Sequence, residues 1–121
     1  MANEETLVVV QVETREALAN LEEIAAAETV DVVFLGPTDL SSALGHTGET
    51  DHPEVLAAIE DAGKTILRAG KVAGTIARDP EAYKHWRGLG FQYLATGLTS
   101  FISQSGRAYL QGVREYEASG C

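Results

Sequence analysis

Glu13 and Asp39 are the residues on which a chemistry can be built, because each follows a short apolar run: Thr6–Val12 in one case, Val30–Leu35 with Gly36-Pro37-Thr38 in the other. Continuous β-branched runs of that length read as strands buried on both faces of a parallel sheet. In such sheets the carboxyl-terminal strand ends share one functional rim. Neighbouring strands lie about 4.8 Å apart, so two carboxylates delivered there can share a hard divalent cation whose remaining positions go to water and substrate oxygens. A plainer reading makes Asp39 a helix cap and Glu13 an exposed first-turn acid. Gln11, two residues before Glu13, projects from the same side of the strand; its amide could meet a substrate carbonyl or a metal-bound water, or be satisfied by backbone. Gly36-Pro37-Thr38-Asp39-Leu40-Ser41 opens a short helix after Pro37 whose free amides suit a small anion such as a carboxylate, although an ordinary Gly-Pro turn has the same sequence.

The elements that must hold these residues alternate from end to end. Thr14 caps a helix with an apolar stripe of Ala17, Leu21, Ile24 and Ala25. After the second strand comes a loop with one short turn around Leu40–Leu44, carrying Gly45, Gly48 and Asp51. Pro53 suits the first position of the next helix, whose stripe is Val55/Leu56, Ile59, Ile66 and Leu67, with Glu60 placed to pair with Lys64 and Gly70 as its stop. Lys71–Ala77 is a third strand. Asp79-Pro80 starts a third helix through Tyr83, Trp86 and Arg87, Phe91–Thr96 is a fourth strand, and a last helix runs from about Ser100 to Tyr116 with Ile102, Tyr109, Leu110 and Val113 on one side. The pattern predicts an α/β fold of four βα units with parallel strands, forming a single domain over 1–121.

Composition narrows the function classes. A formal charge of −9 from 18 acids and 9 Lys and Arg argues against nucleic acid as a partner, since a phosphate-binding surface needs basic residues in excess. No apolar run approaches the length of a membrane span, the first five residues lack the features of a secretory signal, and the lone Cys121 fits a reducing, cytoplasmic setting without a disulfide framework. Neither a P-loop, a dinucleotide fingerprint nor a nucleophile elbow is present. His46, His52 and His85 show no metal-ligand spacing and are expected at the surface. Tyr83, Trp86, Phe91 and Tyr93 are expected in the core.

Gln11-Val12-Glu13-Thr14-Arg15-Glu16-Ala17, Asn20–Ala25 and Asp31-Val32-Val33-Phe34-Leu35-Gly36-Pro37-Thr38-Asp39-Leu40-Ser41 together closely resemble the HpcH/HpaI aldolase family, class II pyruvate aldolases of the 4-hydroxy-2-oxoheptanedioate aldolase type. The likeness continues through Leu44-Gly45, Pro53-Glu54-Val55, Ala69-Gly70-Lys71 and Gly97. It implies that Glu13 and Asp39 bind a divalent metal (Mg2+, Mn2+ or Co2+), that Gln11 contacts pyruvate or its metal-bound water, and that the backbone of Gly36, Pro37, Thr38 and Asp39 holds the pyruvate carboxylate. A metal-bound pyruvate enolate would then make or break a carbon–carbon bond to an aldehyde, giving or consuming a 4-hydroxy-2-oxo acid. The resemblance also implies half of a TIM (βα)8 barrel, since closed barrels take about 250 residues, with this chain starting at the fifth strand. The arginine and acid/base histidine that the family draws from the first half have no counterpart here, and Gly97-Leu98-Thr99 stands where many relatives have Gly-x-Asp. A half-barrel with unpaired sheet edges is expected to form a homo-oligomer or to join a complementary half. Two further readings are a non-catalytic half-barrel serving as remnant or assembly module, and a citrate-lyase-like lyase acting on acyl-CoA thioesters.

Overall fold

Apolar runs separated by helical patterns fold here into one parallel sheet with its strands in sequence order: β1 (Val9–Val12), β2 (Val32–Leu35), β3 (Val72–Ile76) and β4 (Tyr93–Ala95). The structure, a computed structural model, describes residues 2–120, so Cys121 lies outside it. Helices fill every connection: α1 (Ala2–Glu5) precedes β1, α2 (Arg15–Ala19) and α3 (Leu21–Ala26) join β1 to β2, α4 (Pro37–Leu44) and α5 (Pro53–Arg68) join β2 to β3, α6 (Pro80–Gly88) joins β3 to β4, and α7 (Leu98–Ala118) follows β4. The expected four βα units are all present.

Alternation along the strands decides which side chains meet the helices. Val12, Val33, Leu35 and Ala73 point into a core shared with Leu21, Leu40, Val55, Ile59, Ile66, Trp86 and Phe91. Each large side chain fully removed from water there stabilises the fold by about 1.5–3 kcal/mol before conformational entropy is counted. The buried stripe of α5, Val55, Ile59, Ala62, Gly63 and Ile66, has the spacing of one helix face. Thr75 is buried on the same side of β3, and its hydroxyl donates to the Leu35 carbonyl at 2.9 Å, which satisfies a polar group that would otherwise be costly to bury. Capping is as the sequence predicts at Thr14, whose hydroxyl accepts from the Ala17 amide, and at Asp79, whose carboxylate accepts from that of Ala82.

Several expectations are corrected. The first strand is not buried on both faces: Leu7, Val8 and Val9 are exposed because β1 is a sheet edge and no element covers its second face among the described residues. Tyr83 and Tyr93 are exposed, whereas Trp86 and Phe91 are core; Tyr93 lies on the uncovered sheet face, edge-on to Phe34 with ring centres 6.1 Å apart. The first helical stretch breaks in two at Asn20. The short turn expected around Leu40–Leu44 is part of an eight-residue helix, α4, that begins at Pro37, and α7 starts at Leu98 rather than Ser100. Lys64 pairs with Asp61 at 2.8 Å, not with Glu60, which instead meets His85 at 3.1 Å. The apolar residues foreseen on one side of the last helix bury nothing: α7 has no buried residue.

One close approach in the core is between α5 and Phe91, just before β4. A Cβ built on Gly63 would lie 2.4 Å from Phe91 Cζ, and Phe91 is itself packed against the Trp86 ring at 5.1 Å. Replacing a mid-helix glycine by alanine ordinarily gains up to about 1 kcal/mol. Here Gly63→Ala is expected to destabilise by about 1–3 kcal/mol through overpacking. Urea unfolding should show a lower midpoint at unchanged slope, and a raised midpoint would show that Phe91 yields instead.

Candidate functional site at the strand ends

Parallel pairing of β1 with β2 aligns Val12 with Leu35, so Glu13 and Gly36 are the residues that leave the sheet side by side. The Gly36 amide donates to the Val12 carbonyl at 3.2 Å, extending the ladder one step past both strands. Val12 faces the core, so Gln11 and Glu13 face the opposite, uncovered side; Gln11 is exposed and Glu13 half-buried. Gln11 Nε2 donates to Glu13 Oε2 at 2.6 Å, which aims the carboxylate and removes the alternative of a glutamine satisfied by backbone. A Cβ on Gly36 would fall 2.9 Å from Gln11 Nε2 and 3.3 Å from Glu13 Oε2. The space beside these polar atoms exists because residue 36 has no side chain.

Asp39 stands three residues further on, exposed in the first turn of α4. Gly36 is the N-cap of this helix and has no side chain to accept from its amides, and Pro37 has no N–H. The amides of Thr38 and Asp39 therefore open toward the rim without a capping acceptor. Ser41, buried below, donates to the Thr38 carbonyl at 2.7 Å and accepts from the Gly48 amide at 3.3 Å, which anchors both the turn and the loop after it. Glu13, Gln11, Gly36 and the first turn of α4 thus come together at one strand-end rim. That rim presents uncapped amides beside the Glu13 carboxylate.

A cavity of about 520 Å3 lies on the other side of α4's first turn, between α5 and α6, lined among others by Pro37, Thr38, Asp51, Arg78, His85 and Trp86. Arg78 crosses its mouth to pair with Asp51 and donates to the Thr50 hydroxyl at 3.2 Å, tying the loop after β3 to the loop between α4 and α5. Three basic residues that flank the strands, Arg15, Lys71 and Arg78, are each engaged elsewhere. Arg15 donates to the Ala43 carbonyl, and Lys71 donates to the Ala27 and Val30 carbonyls at 3.0 and 2.7 Å.

The loop between α4 and α5 corrects the reading of the histidines. His46 and His52 are half-buried, and their rings stack with centres 3.5 Å apart. His46 Nε2 meets Glu54 Oε2 at 2.8 Å, and His52 Nδ1, the N-cap of α5, accepts from the Glu54 amide at 3.3 Å. Five residues lie between the histidines, so linear spacing hid the pair; the overlooked signal is His52-Pro53-Glu54, a cap, first and second helical position that turns two donors toward whatever precedes it. His85, by contrast, is exposed on α6 as expected. The hydrogen bond from His46, with the charges of His46, His52 and Arg15, holds the Glu54 carboxyl below its ordinary value of 4.5. A depressed carboxyl adds stability above its unfolded pKa and loses it as pH falls through the folded one. Carboxyl-carbon NMR titration should place the Glu54 midpoint below 4.5 and move it upward in His46→Gln.

Comparison with known proteins bears on the family and the fold. The profile of the HpcH/HpaI aldolase/citrate lyase family matches residues 1–104. The chain is 47% identical over 119 residues to the hydroxypyruvate/pyruvate aldolase of Cupriavidus necator, covering 98% of this chain and 42% of that protein. It is 45% identical over 105 residues to the 4-hydroxy-2-oxo-heptane-1,7-dioate aldolase of Klebsiella pneumoniae, covering 87% and 40%. Among solved structures, an HpcH/HpaI aldolase/citrate lyase family protein from Burkholderia cenocepacia superposes with a TM-score of 0.85 at 35% identity, over 94% of this chain and 45% of that one. The chain spans about two-fifths of the length of the curated relatives it matches, and its four parallel βα units correspond to about half of the TIM barrel of the solved relative. With fold, motif and family profile in agreement, this chain belongs to the HpcH/HpaI aldolase/citrate lyase family.

Proposed function

We propose that this chain carries the metal- and pyruvate-binding portion of an aldolase that cleaves or forms 4-hydroxy-2-oxo acids. The observation that carries the reading is the convergence of Gln11, Glu13 and the first turn of α4 around Gly36, where any side chain would fill the space. The donor set fits a hard divalent ion such as Mg2+, Mn2+ or Co2+: carboxylate oxygens from Glu13 and Asp39, with the remaining positions available to water and substrate. When bound, such an ion supplies Lewis-acid stabilisation of the charge that develops on the keto oxygen of pyruvate. The residues of the chain do the rest. The Thr38 and Asp39 amides receive the pyruvate carboxylate at the α4 N-terminus, Gln11 orients Glu13, and Gly36 leaves room for the substrate. Names of the relatives, a hydroxypyruvate/pyruvate aldolase and a 4-hydroxy-2-oxo-heptane-1,7-dioate aldolase, support a pyruvate-derived substrate and an aldehyde partner.

No proton-transfer group accompanies this rim among the described residues. His46 and His52 sit in the α4–α5 loop and His85 on α6, and none has a contact with Gln11 or Glu13. We therefore assign the acid/base step to a group outside residues 2–120 or to a second copy. The bare face of the sheet and the unburied α7, with Phe101, Ile102, Leu110 and Tyr116 exposed, favour assembly with a complementary half or with further copies. The same feature supports the second reading, a non-catalytic assembly module. Light scattering after size exclusion should report a dimer or larger species; a compact monomer at tens of micromolar would remove this part of the proposal.

Mn2+ titration followed by water-proton relaxation should show binding that rises with added pyruvate and falls at least about tenfold in Glu13→Gln or Asp39→Asn. Wild-type protein that binds no ion, with or without pyruvate, defeats the site. Gly36→Ala should fold with a near-normal thermal midpoint yet weaken Mn2+ and pyruvate binding by a similar factor, because the methyl group meets Gln11 and Glu13 rather than core. Exchange of pyruvate methyl protons into deuterated water by the purified chain separates the readings: the aldolase portion sustains it when completed by its acid/base partner, and an assembly module shows none under any condition.

A further inference from the structure

The stacked histidine pair sits in the loop after α4, makes no hydrogen bond to Gln11, Glu13 or Asp39 among the described residues, and has no part in the chemistry proposed at the rim. Its members are held by backbone rather than placed by chance. The His46 amide donates to the Ser41 carbonyl at 2.7 Å, the Glu49 amide to the His46 carbonyl at 2.9 Å, and the His52 amide to the Glu49 carbonyl at 3.0 Å. Two interlocked turns thereby fold the loop so that its first and last residues meet, and Pro53 fixes where Glu54 enters α5. Ligand atoms of His46, His52 and Glu54 all lie within 4.8 Å of one another.

We propose that His46, His52 and Glu54 form a second metal site, distinct from Glu13 and Asp39, that takes Zn2+ or a similar borderline ion and fastens the α4–α5 loop to the first turn of α5. Two imidazoles and one carboxylate are a zinc donor set, with a fourth position left for water. Bonds of about 2.0–2.2 Å in tetrahedral geometry space the ligand atoms by about 3.3–3.5 Å, so the cluster needs side-chain rotation and no backbone change. The ion takes the place of the proton between His46 Nε2 and Glu54 Oε2, now 2.8 Å apart. It also splays the rings from their 3.5 Å stack, since two imidazoles cannot both point at one ion while lying face to face. His52 exchanges its long 3.3 Å cap for the metal bond. Arg15 and the α5 N-terminus both set positive potential near Glu54, which penalises a hard ion held by charge alone. Nitrogen ligands offset that penalty for Zn2+ and not for Mg2+ or Mn2+. The loop so fixed bears Gly48, Thr50 and Asp51, which line the cavity between α5 and α6.

The test uses the whole chain carrying Glu13→Gln and Asp39→Asn together, so that the strand-end rim is silent. Calorimetric titration with Zn2+ near neutral pH should give about one equivalent bound, insensitive to excess Mg2+, and Co2+ should give the intense visible bands of tetrahedral coordination. His46→Gln and His52→Asn, which keep a hydrogen-bonding group and a helix cap respectively, should each weaken Zn2+ binding by about tenfold or more. Affinity should also fall as pH drops, because protons compete for the imidazoles. In unmodified protein, proton NMR should show Zn2+ shifting the ring signals of His46 and His52 and leaving His85 in place, a readout that needs no variant to fold. No Zn2+ uptake by the double variant, undiminished binding in His46→Gln, or unmoved His46 and His52 signals would each overturn the assignment.

Discussion

Parallel pairing of β1 with β2 is the constraint on which the rest depends. A ladder that aligns Val12 with Leu35 does two things at once. It turns Val12, Val33 and Leu35 toward the helices, where burial stabilises the fold, and it turns Gln11 and Glu13 away from them. A slip of one residue would reverse both sets, exposing the core and burying a carboxylate. Packing energy therefore enforces the side on which the polar residues stand, and no separate device is needed to orient them.

Much of this was legible in the sequence because the strong signals are local. The capping residues Thr14 and Asp79 and the 3.6-residue stripe of α5 each report on their own segment, and each formed as expected. What could not be read is what depends on neighbours distant along the chain. The run from Leu7 to Val9 looks like a central strand, yet it forms an edge, because its inner face has no partner among residues 2–120. Tyr93 alternates correctly with Leu94 but falls on the uncovered face. Lys64 chose Asp61 over Glu60 because Glu60 was within reach of His85 on α6, a contact no helical spacing rule contains.

The candidate site divides the same way. Glu13, Asp39 and the glycine between them were visible because strand ends and helix starts have sequence signatures. The pair His46 and His52 was not, since a loop closing on itself brings residues together without periodicity. The geometry adds the reason Gly36 belongs beside Gln11 and Glu13: it is the one residue of the rim defined by what it lacks.

Strand order that follows chain order has a consequence for how such a molecule can grow. Each strand pairs with the strand before it, so every ladder closes a loop of one helical connection and nothing threads between earlier strands. The sheet is in effect an open-ended stack, with β1 and β4 as its growing faces. A further βα segment can dock on either face by repeating the step that placed its predecessor, without disturbing any contact already made. A duplicated or borrowed copy of the same stack could close the circle by that route, through surface connections rather than across the core.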